Sequence, residues 1–323
     1  MEVKQVECTK CHGRYSETLI LKEGICVYCR ADEAEQVVSP QVPEGQSPEV
    51  KKKKTAQKKA EQELAKRVLC RKFLLPFVER TNPEYHAGWV HKDICQRLEN
   101  FSKQVENKES PRLMLFMPPR HGKSTLASIA FPAWHLGRHP NHEFISCSYS
   151  GSLAMSFSRK VRQLLREPLY KNIFDKTRLD KDSQSVESWN TTNGGGYVSA
   201  GVGGGITGKG ANVLLIDDPV KNREDAESDH NRDLIWDWYT STAYTRLSPG
   251  GGVLVILTRW HDDDLAGRLL RFAEEGADQW EVVKYPAIAE EDEDYRAEGD
   301  ALHPERYAVD ALDQIRKAIG PRD

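Results

Sequence analysis

A short apolar run that passes directly into a Gly-Lys-Ser turn constrains this chain more than any other feature. Residues 112–117 (RLMLFM) lie between two prolines and predict a buried strand. They are followed by 118–125 (PPRHGKST) and then by a helix-like stretch over 123–136. A strand, this loop and a helix in that order form the context of a P-loop, in which backbone N–H groups at a helix N-terminus bind phosphate oxygens.

The P-loop interpretation assigns a role to each polar residue of the turn. The pattern G-x4-G-K-[ST] is met except at its first position, where Met117 stands. Lys123 is expected to reach the β- and γ-phosphates of ATP, and the Ser124 hydroxyl is expected to ligate Mg²⁺. The residues predicted to contact the nucleotide are Pro119, Arg120, His121, Gly122, Lys123, Ser124 and Thr125.

From about residue 85 to 288, short apolar runs alternate with helix-like stretches. Predicted strands cover 112–117, 143–149, 212–216, 253–258 and 280–285, and predicted helices cover 123–136, 153–166, 262–275 and 309–319. This alternation predicts an α/β fold, a P-loop NTPase with a mostly parallel sheet covered by helices on both faces. The glycine-rich stretch 194–210 indicates either a mobile loop, which we expect, or a close approach to a ligand.

The second half of the site is predicted where two later strands end. The run 212–218 (NVLLIDD) ends in two carboxylates. Asp217 is expected to hold Mg²⁺ through water and Asp218 to accept a proton from the attacking water, although two aspartates can also simply end a strand. Thr258, after the next strand, fits a polar sensor near the γ-phosphate, and the following Arg259 is either part of that site or an ordinary surface cation.

Three segments together closely resemble the large terminase subunit of tailed bacteriophages, from about residue 85 to the C-terminus. They are 117–124 (MPPRHGKS), 203–222 (GGGITGKGANVLLIDDPVKN) and 257–267 (LTRWHDDDLAG). The resemblance implies an ATP-driven motor that moves double-stranded DNA into a procapsid in the host cytoplasm. It also implies a homo-oligomeric ring, a portal protein and a small terminase subunit as partners.

The resemblance also suggests further site residues. Arg120 is expected to contact phosphate in cis, and Lys209 matches the position where some packaging ATPases carry a trans-acting arginine. Arg159 and Arg162 are alternative candidates for the trans-acting residue. Lys209, Arg159 and Arg162 can also be ordinary solvated cations. Trp89 and His91 lie where the family contacts adenine, although core packing of Trp89 is an equal alternative.

The chain departs from the family pattern at three points. Met117 replaces the first P-loop glycine, and Asp218 stands where many packaging motors have glutamate. Family members normally continue into a nuclease domain of RNase H-like fold, whereas this sequence stops at Asp323. We therefore expect no nuclease activity from this chain. The acidic run 290–294 is expected to be a solvated loop.

Four of the seven cysteines form a separate pattern near the N-terminus. Their spacing, C-x2-C-x14-C-x2-C, predicts a tetrahedral zinc site formed by Cys8, Cys11, Cys26 and Cys29. A module of this size has little core, so the metal would supply most of its folding free energy. The partner of this zinc-ribbon-like module is left open, because the terminase resemblance does not extend to it.

Composition then divides the chain. We expect a four-cysteine zinc module over 1–31, a flexible basic linker over 32–60, the ATPase domain over 61–290 and a C-terminal segment over 291–323. Residues 51–72 hold ten Lys or Arg against two Glu, so they form either a solvated helix face or an arm that contacts phosphates. The net charge of −3 restricts nucleic-acid binding to such local patches.

No apolar run is long enough for a membrane span, and the N-terminus has no secretory signal. Two alternative functions stay open at this point. One is another P-loop DNA translocase or helicase-like ATPase, and the other is a truncated nucleotide-binding module without turnover.

Overall fold

A computed structural model of the protein describes residues 5–7, 14–16 and 48–319. Near the N-terminus, strand β1 (Gln5–Glu7) pairs antiparallel with β2 (Arg14–Ser16). The four cysteines of the predicted zinc site, Cys8, Cys11, Cys26 and Cys29, lie outside the described residues. The zinc site therefore stays a prediction.

An eight-stranded sheet organises the described part of the chain. Its strands are β3 (Arg112–Phe116), β4 (Glu143–Ser148), β5 (Leu179–Gln184), β6 (Ser188–Thr191), β7 (Gly196–Gly201), β8 (Ala211–Asp217), β9 (Leu247–Leu257) and β10 (Glu281–Lys284). The strand order is β10-β3-β9-β8-β4-β7-β6-β5. Every pair from β10 to β7 is parallel, whereas β6 and β5 join antiparallel at one edge. The predicted mostly parallel sheet is confirmed.

The glycine-rich stretch 194–210 is only in part the loop that the sequence predicted, since residues 202–210 contain no helix or strand. Residues 196–201 are not a loop: they form β7 and pair along the whole length of β4. The glycines permit close approach within the chain, because a Cβ on Gly196 would lie 2.7 Å from Asn190 Oδ1, and one on Gly201 would lie 2.7 Å from the Gly151 nitrogen. A side chain at either position would force these backbones apart.

Helices fill the connections between the strands. They are α1 (Pro48–Lys72), α2 (Leu74–Thr81), α3 (Trp89–Glu106), α4 (Phe131–Arg138), α5 (Gly151–Arg166), α6 (Pro168–Ile173), α7 (Arg223–Glu227), α8 (Asp229–Trp238), α9 (Leu265–Glu274) and α10 (Val309–Ile319). Helix α1 begins inside the region predicted as a linker, so residues 48–60 are helical. Wide π-helical turns over Thr125–Ala130 lead into α4, directly before Pro132, whose nitrogen cannot donate a helical hydrogen bond.

Both faces of the sheet are buried. One face packs against side chains of α2, α3 and α4, including Phe77, Phe101 and Trp134. The opposite face packs against α8 and α9 through residues such as Trp238 and Leu265. Sheets covered in this way expose their functional residues at the carboxyl ends of the strands. None of the helices in the described ranges is long and apolar enough to cross a bilayer.

The stretch after β10 folds back over the start of α3. The Tyr285 N–H donates to the Phe116 carbonyl at 2.9 Å, which extends the contact between β10 and β3. Farther on, the Tyr295 ring stacks on Trp89 with 5.0 Å between centroids, and His303 meets His91 edge to face at 4.7 Å. Residues 285–308, called the C-terminal strap below, are thus packed against the main domain and include the first part of the C-terminal segment expected over 291–323.

Candidate functional site

Three neighbouring parallel strands end at the same edge of the sheet and bring the predicted catalytic residues together. Strand β9 lies between β3 and β8, so the loop after β3, Thr258 after β9 and Asp218 after β8 are adjacent. The Lys123 ammonium donates to Asp218 Oδ1 at 2.9 Å and to Thr258 Oγ1 at 2.7 Å. Residues separated by up to 135 positions in the chain therefore share one polar cluster.

Asp218 has an unusual backbone conformation. Its φ of 45° lies in the left-handed region, which costs free energy for a residue with a side chain and is typical of functional sites. Its N–H donates to the Ile256 carbonyl at 2.8 Å, and its Oδ1 accepts the Thr258 N–H at 2.9 Å. These contacts aim the carboxylate at Lys123 and leave its side chain 30% exposed, so solvent can reach it.

Asp217 is buried beside it, with only one of its carboxylate oxygens hydrogen-bonded. Oδ2 accepts the Ser128 hydroxyl at 2.5 Å, whereas Oδ1 has no hydrogen-bond partner among the described residues. Burial, together with the negative charge of Asp218, raises the pKa of Asp217 to about 6, while the Ser128 and Ser124 hydroxyls act in the opposite direction.

This environment fits a divalent cation. An orphaned, buried carboxylate oxygen close to a serine hydroxyl supplies the hard oxygen ligands that Mg²⁺ prefers. Ser124 and Asp217, the pair predicted from the sequence, would hold it. The sequence did not indicate Ser128, although it lies four residues after Ser124 and thus on the same face of a helical turn.

The loop of residues 118–124, called the 118–124 loop below, has a shape that requires glycine at one position. Arg120 and Gly122 both have left-handed backbone angles, with φ of 61° and 89°. A Cβ on Gly122 would also lie 3.2 Å from Tyr85 Oη and 3.3 Å from His91 Nε2. The glycine of the Gly-Lys-Ser turn is therefore favoured by its left-handed conformation and by the crowding around it.

His91 supports this loop from behind. Its Nδ1 accepts the Gly88 N–H at 2.9 Å, so the proton is on Nε2, which donates to the His121 carbonyl at 3.0 Å. Burial lowers the pKa of His91 to about 4, which keeps the ring neutral at physiological pH. Both ring nitrogens are engaged by the protein, and the role predicted for His91 at the adenine stays untested.

Trp89, the other residue predicted near adenine, packs against the C-terminal strap. Tyr295 stacks on its ring, and the Arg296 guanidinium lies 5.7 Å from its centroid. This is the packing that we considered as an alternative. A contact with adenine stays a prediction for this residue as well.

The predicted basic residues fall in three different places. Arg120 is exposed on the 118–124 loop itself. Lys209 precedes β8 and lies at the opposite end of this seven-residue strand from Asp217, roughly 20 Å away along the strand. It is therefore too far to reach the cluster of its own chain, so a trans contact stays a prediction and a solvated cation stays the alternative. Arg159 and Arg162 lie on α5, where burial, together with the charges of Arg166 and Arg159, lowers the pKa of Arg162.

A cleft of about 650 Å³ adjoins the strand ends. Arg259, which follows Thr258, lies on its wall, with its guanidinium 5.2 Å from the Phe116 ring centroid and 2.7 Å from Asp264. Asp264 caps α9 by accepting the Gly267 N–H, so Arg259 fixes the start of that helix. Acidic side chains of the 290–294 run line the other wall. Within the described ranges, no group of three or more His, Cys, Asp or Glu is arranged to hold a metal ion.

Comparison with known proteins identifies the family. The family model described as "Terminase large subunit, T4likevirus-type, N-terminal" matches residues 114–320, more than half of the chain. No curated protein matches.

Among solved structures, the large terminase of bacteriophage HK97 is similar, with 15% identity and a TM-score of 0.46, over 76% of this chain and 52% of that one. The large terminase of a thermophilic bacteriophage, in complex with ATP-gamma-S, has 10% identity and a TM-score of 0.33, over 57% of this chain and 43% of that one. The chain thus spans about half the length of these solved terminases. Because the family model matches more than half of the chain, including the 118–124 loop, Asp217, Asp218 and Thr258, the chain belongs to the large terminase subunits of bacteriophages.

Proposed function

We propose that this chain is the ATP-hydrolysing part of a DNA-packaging motor. The observation that carries the proposal is the cluster of Lys123, Asp218 and Thr258 at three adjacent strand ends, next to a buried Asp217 with an orphaned oxygen. A phosphate-binding lysine, a carboxylate for a metal and a second carboxylate for a proton are the groups that ATP hydrolysis by a P-loop enzyme requires.

Each residue then has one role. The backbone N–H groups of 119–125 bind the phosphate oxygens, with Arg120 as an additional contact in cis. Ser124 and Asp217 hold Mg²⁺, which when bound neutralises the charge that develops on the phosphates. Asp218 accepts the proton of the attacking water, and Thr258 contacts the γ-phosphate.

The ion pair between Lys123 and Asp218 suggests how hydrolysis is coupled to nucleotide binding. While Lys123 donates to Asp218 Oδ1, that oxygen is occupied by the ammonium and is not free to contact the attacking water. Nucleotide phosphates would compete for the Lys123 ammonium and release Asp218. The proton acceptor therefore becomes active only when a nucleotide is in place.

The partners are those of a packaging motor. We propose that the chain acts on double-stranded DNA in the host cytoplasm, as a homo-oligomeric ring at the portal protein of a procapsid, together with a small terminase subunit. Lys209, at the far end of β8, is the candidate for contact with the nucleotide of a neighbouring subunit. We further propose that residues 1–31 bind one structural Zn²⁺ through their four cysteines.

The decisive experiment has two assays. The first measures phosphate release by the purified chain with Mg²⁺ and ATP, with and without duplex DNA. The second adds procapsids and the small subunit and measures how much DNA becomes protected from DNase. Turnover that supports protection of DNA in procapsids is the expected result. Turnover without any procapsid-dependent protection would favour a different DNA translocase. Absence of turnover in a folded protein would reduce the chain to a nucleotide-binding module.

A further inference from the structure

Helix α1 differs in charge from the rest of the molecule. Residues 51–72 hold ten Lys or Arg and two Glu, whereas the whole chain has a net charge of −3. The remainder of the chain is therefore clearly acidic. The segment 51–72 thus has a net charge of +8 (ten minus two) in a chain that is otherwise acidic.

The C-terminal half of α1 is firmly attached to the domain. The Trp134 indole N–H donates to the Cys70 carbonyl at 3.0 Å, and Arg71 Nε donates to the Ile173 carbonyl at 2.5 Å. Glu63 accepts hydrogen bonds from both Arg67 and Arg80, which also neutralise its charge. This half packs against α2, α4 and α6.

The N-terminal half projects from this base. Residues 55–60 are all exposed, and the helix continues to Pro48. At 1.5 Å per residue, the stretch 48–61 extends for about 21 Å. It carries six lysines, and Glu61 at its base accepts a hydrogen bond from Gln57 at 3.0 Å. We call residues 48–61 the basic arm.

The composition of the basic arm restricts what it can bind. Between residues 51 and 60 the only apolar side chains are Ala56 and Ala60, too small to insert into a membrane or an apolar groove. Its positive charges are all lysines, six against Glu49 and Glu61, and lysines act as flexible point charges without the geometric selectivity of arginine. Lysines at this density in the sequence suit a regular polyanion that offers a phosphate at every position.

We propose that the basic arm contacts the phosphate backbone of duplex DNA without reading its sequence. The proposal rests on the proposed function in one respect, because it takes the packaged duplex as the polyanion. It does not depend on ATP hydrolysis. The arm lies outside the nucleotide site and would keep the duplex close to the motor by an electrostatic attraction that salt weakens.

The test uses the full chain with its six arm lysines replaced by glutamine, a residue that retains helix propensity. These lysines are Lys51, Lys52, Lys53, Lys54, Lys58 and Lys59. A matched control replaces six exposed lysines elsewhere, namely Lys103, Lys108, Lys160, Lys171, Lys176 and Lys181. Fluorescence anisotropy with a labelled duplex of arbitrary sequence measures affinity between about 50 and 200 mM salt.

The arm variant is expected to bind the duplex at least tenfold more weakly at about 100 mM salt. The slope of log affinity against log salt should shrink by about 0.9 for each phosphate that the variant no longer neutralises. The control variant should keep the slope of the unaltered protein. Basal ATP turnover should be the same in all three proteins, because no substituted lysine lies in the nucleotide site.

An arm variant with unchanged affinity and slope would overturn the proposal and leave the arm as a solvated helix. Weaker binding with an unchanged slope would also overturn it, because a smaller number of neutralised phosphates must alter the slope. Circular dichroism checks that the variant is still helical. Failure of the proposed function can be told apart from failure of this proposal. If the unaltered chain showed no ATP turnover, the salt dependence of its DNA binding would still report on the basic arm.

Discussion

At the scale of single residues, Lys123 holds the site together before any nucleotide arrives. Its ammonium bridges Asp218 and Thr258 in a partly buried pair, since the Lys123 side chain is 7% exposed and that of Asp218 30%. Replacing Lys123 with alanine should abolish ATP hydrolysis, because the phosphate-binding charge is lost, and should lower the melting temperature while the protein stays folded. Phosphate release and thermal unfolding measure the two effects. Lys103→Ala, at an exposed position on α3, serves as the control; substantial turnover in a folded Lys123→Ala protein would contradict the P-loop assignment.

Asp218 permits a substitution that separates binding from chemistry. Asparagine tolerates the left-handed conformation at this position better than most residues, so Asp218→Asn should fold normally. It should bind Mg·ATP with similar affinity, because Asp217 still supports the metal, but turnover should fall by at least about a hundredfold without the proton acceptor. Nucleotide titration and single-turnover hydrolysis test this. If binding were lost as severely as turnover, the roles of the two aspartates would be reversed.

The raised pKa of Asp217 predicts how the metal requirement depends on pH. Its folded-state pKa of about 6 lies above the usual value of 3.8, so below about pH 6 the carboxyl is mostly protonated and a cation must displace that proton to bind. The Mg²⁺ concentration for half-maximal turnover should therefore rise as the pH falls from about 7 to about 5. Steady-state assays at fixed ATP measure this, and a requirement independent of pH would contradict the assigned ligand.

The same shift in pKa has a consequence for stability. Between about pH 4 and 6 the folded state binds the proton more tightly than the unfolded chain does. The contribution of Asp217 to the free energy of unfolding is thus present at low pH and is lost as the pH rises through about 6. In the absence of metal, this carboxyl opposes folding at neutral pH, and Mg²⁺ would offset that cost.

At the scale of elements, the sequence predicted the strands that consist of continuous apolar residues. All five predicted strands are present, from β3 to β10, because buried parallel strands require continuous apolar runs. Three further strands of the eight-stranded sheet escaped prediction. β5 (LDKDSQ) and β6 (SWNT) lie at the antiparallel edge, where polar residues are tolerated, and β7 (GYVSAG) has the composition of a loop. Its glycines reflect close packing between strands, which the sequence does not reveal.

The sequence predicted part of the candidate site as well. Lys123, Asp217, Asp218 and Thr258 were identified because each ends or closely follows a predicted strand, and parallel strands bring such residues to one edge. Ser128 and the contact of His91 with the 118–124 loop were not predicted. They depend on which faces of two helices meet the site, and this is decided by tertiary packing between α3, the loop and the helical turn after it.

A glycine on β9 tests how closely helix α3 packs on the sheet. A Cβ on Gly252 would lie 2.5 Å from Phe101 Cζ and 2.9 Å from Val105 Cγ2, both on α3. Gly252→Ala should lower the free energy of unfolding by about 1–3 kcal/mol through overpacking. Gly205→Ala is the matched control, because its Cβ would meet nothing within 4 Å. Urea denaturation compares the two, and equal stabilities would show that α3 can shift at little cost.

At the scale of the whole molecule, the cysteine-rich N-terminus should behave independently of the ATPase. Replacing Cys8 and Cys11 with serine should release the zinc and unfold residues 1–31, yet the basal ATPase rate should not change, since residues 32–47 are expected to connect the parts loosely. Metal analysis of a freshly prepared, reduced sample should find about one zinc per chain. A sample without zinc would contradict the assignment, and a lower ATPase rate in the variant would mean that the parts are coupled.

The C-terminal strap has a consequence for anyone who wishes to divide this protein into working pieces. The sheet is complete at β10, which invites a cut after Lys284. Such a cut would remove His303, which packs on His91, and Tyr307, whose ring lies 5.2 Å from that of His121. The rear of the phosphate loop would then be exposed to water. The smallest fragment with an intact nucleotide site must therefore extend past Tyr307, well beyond the last strand.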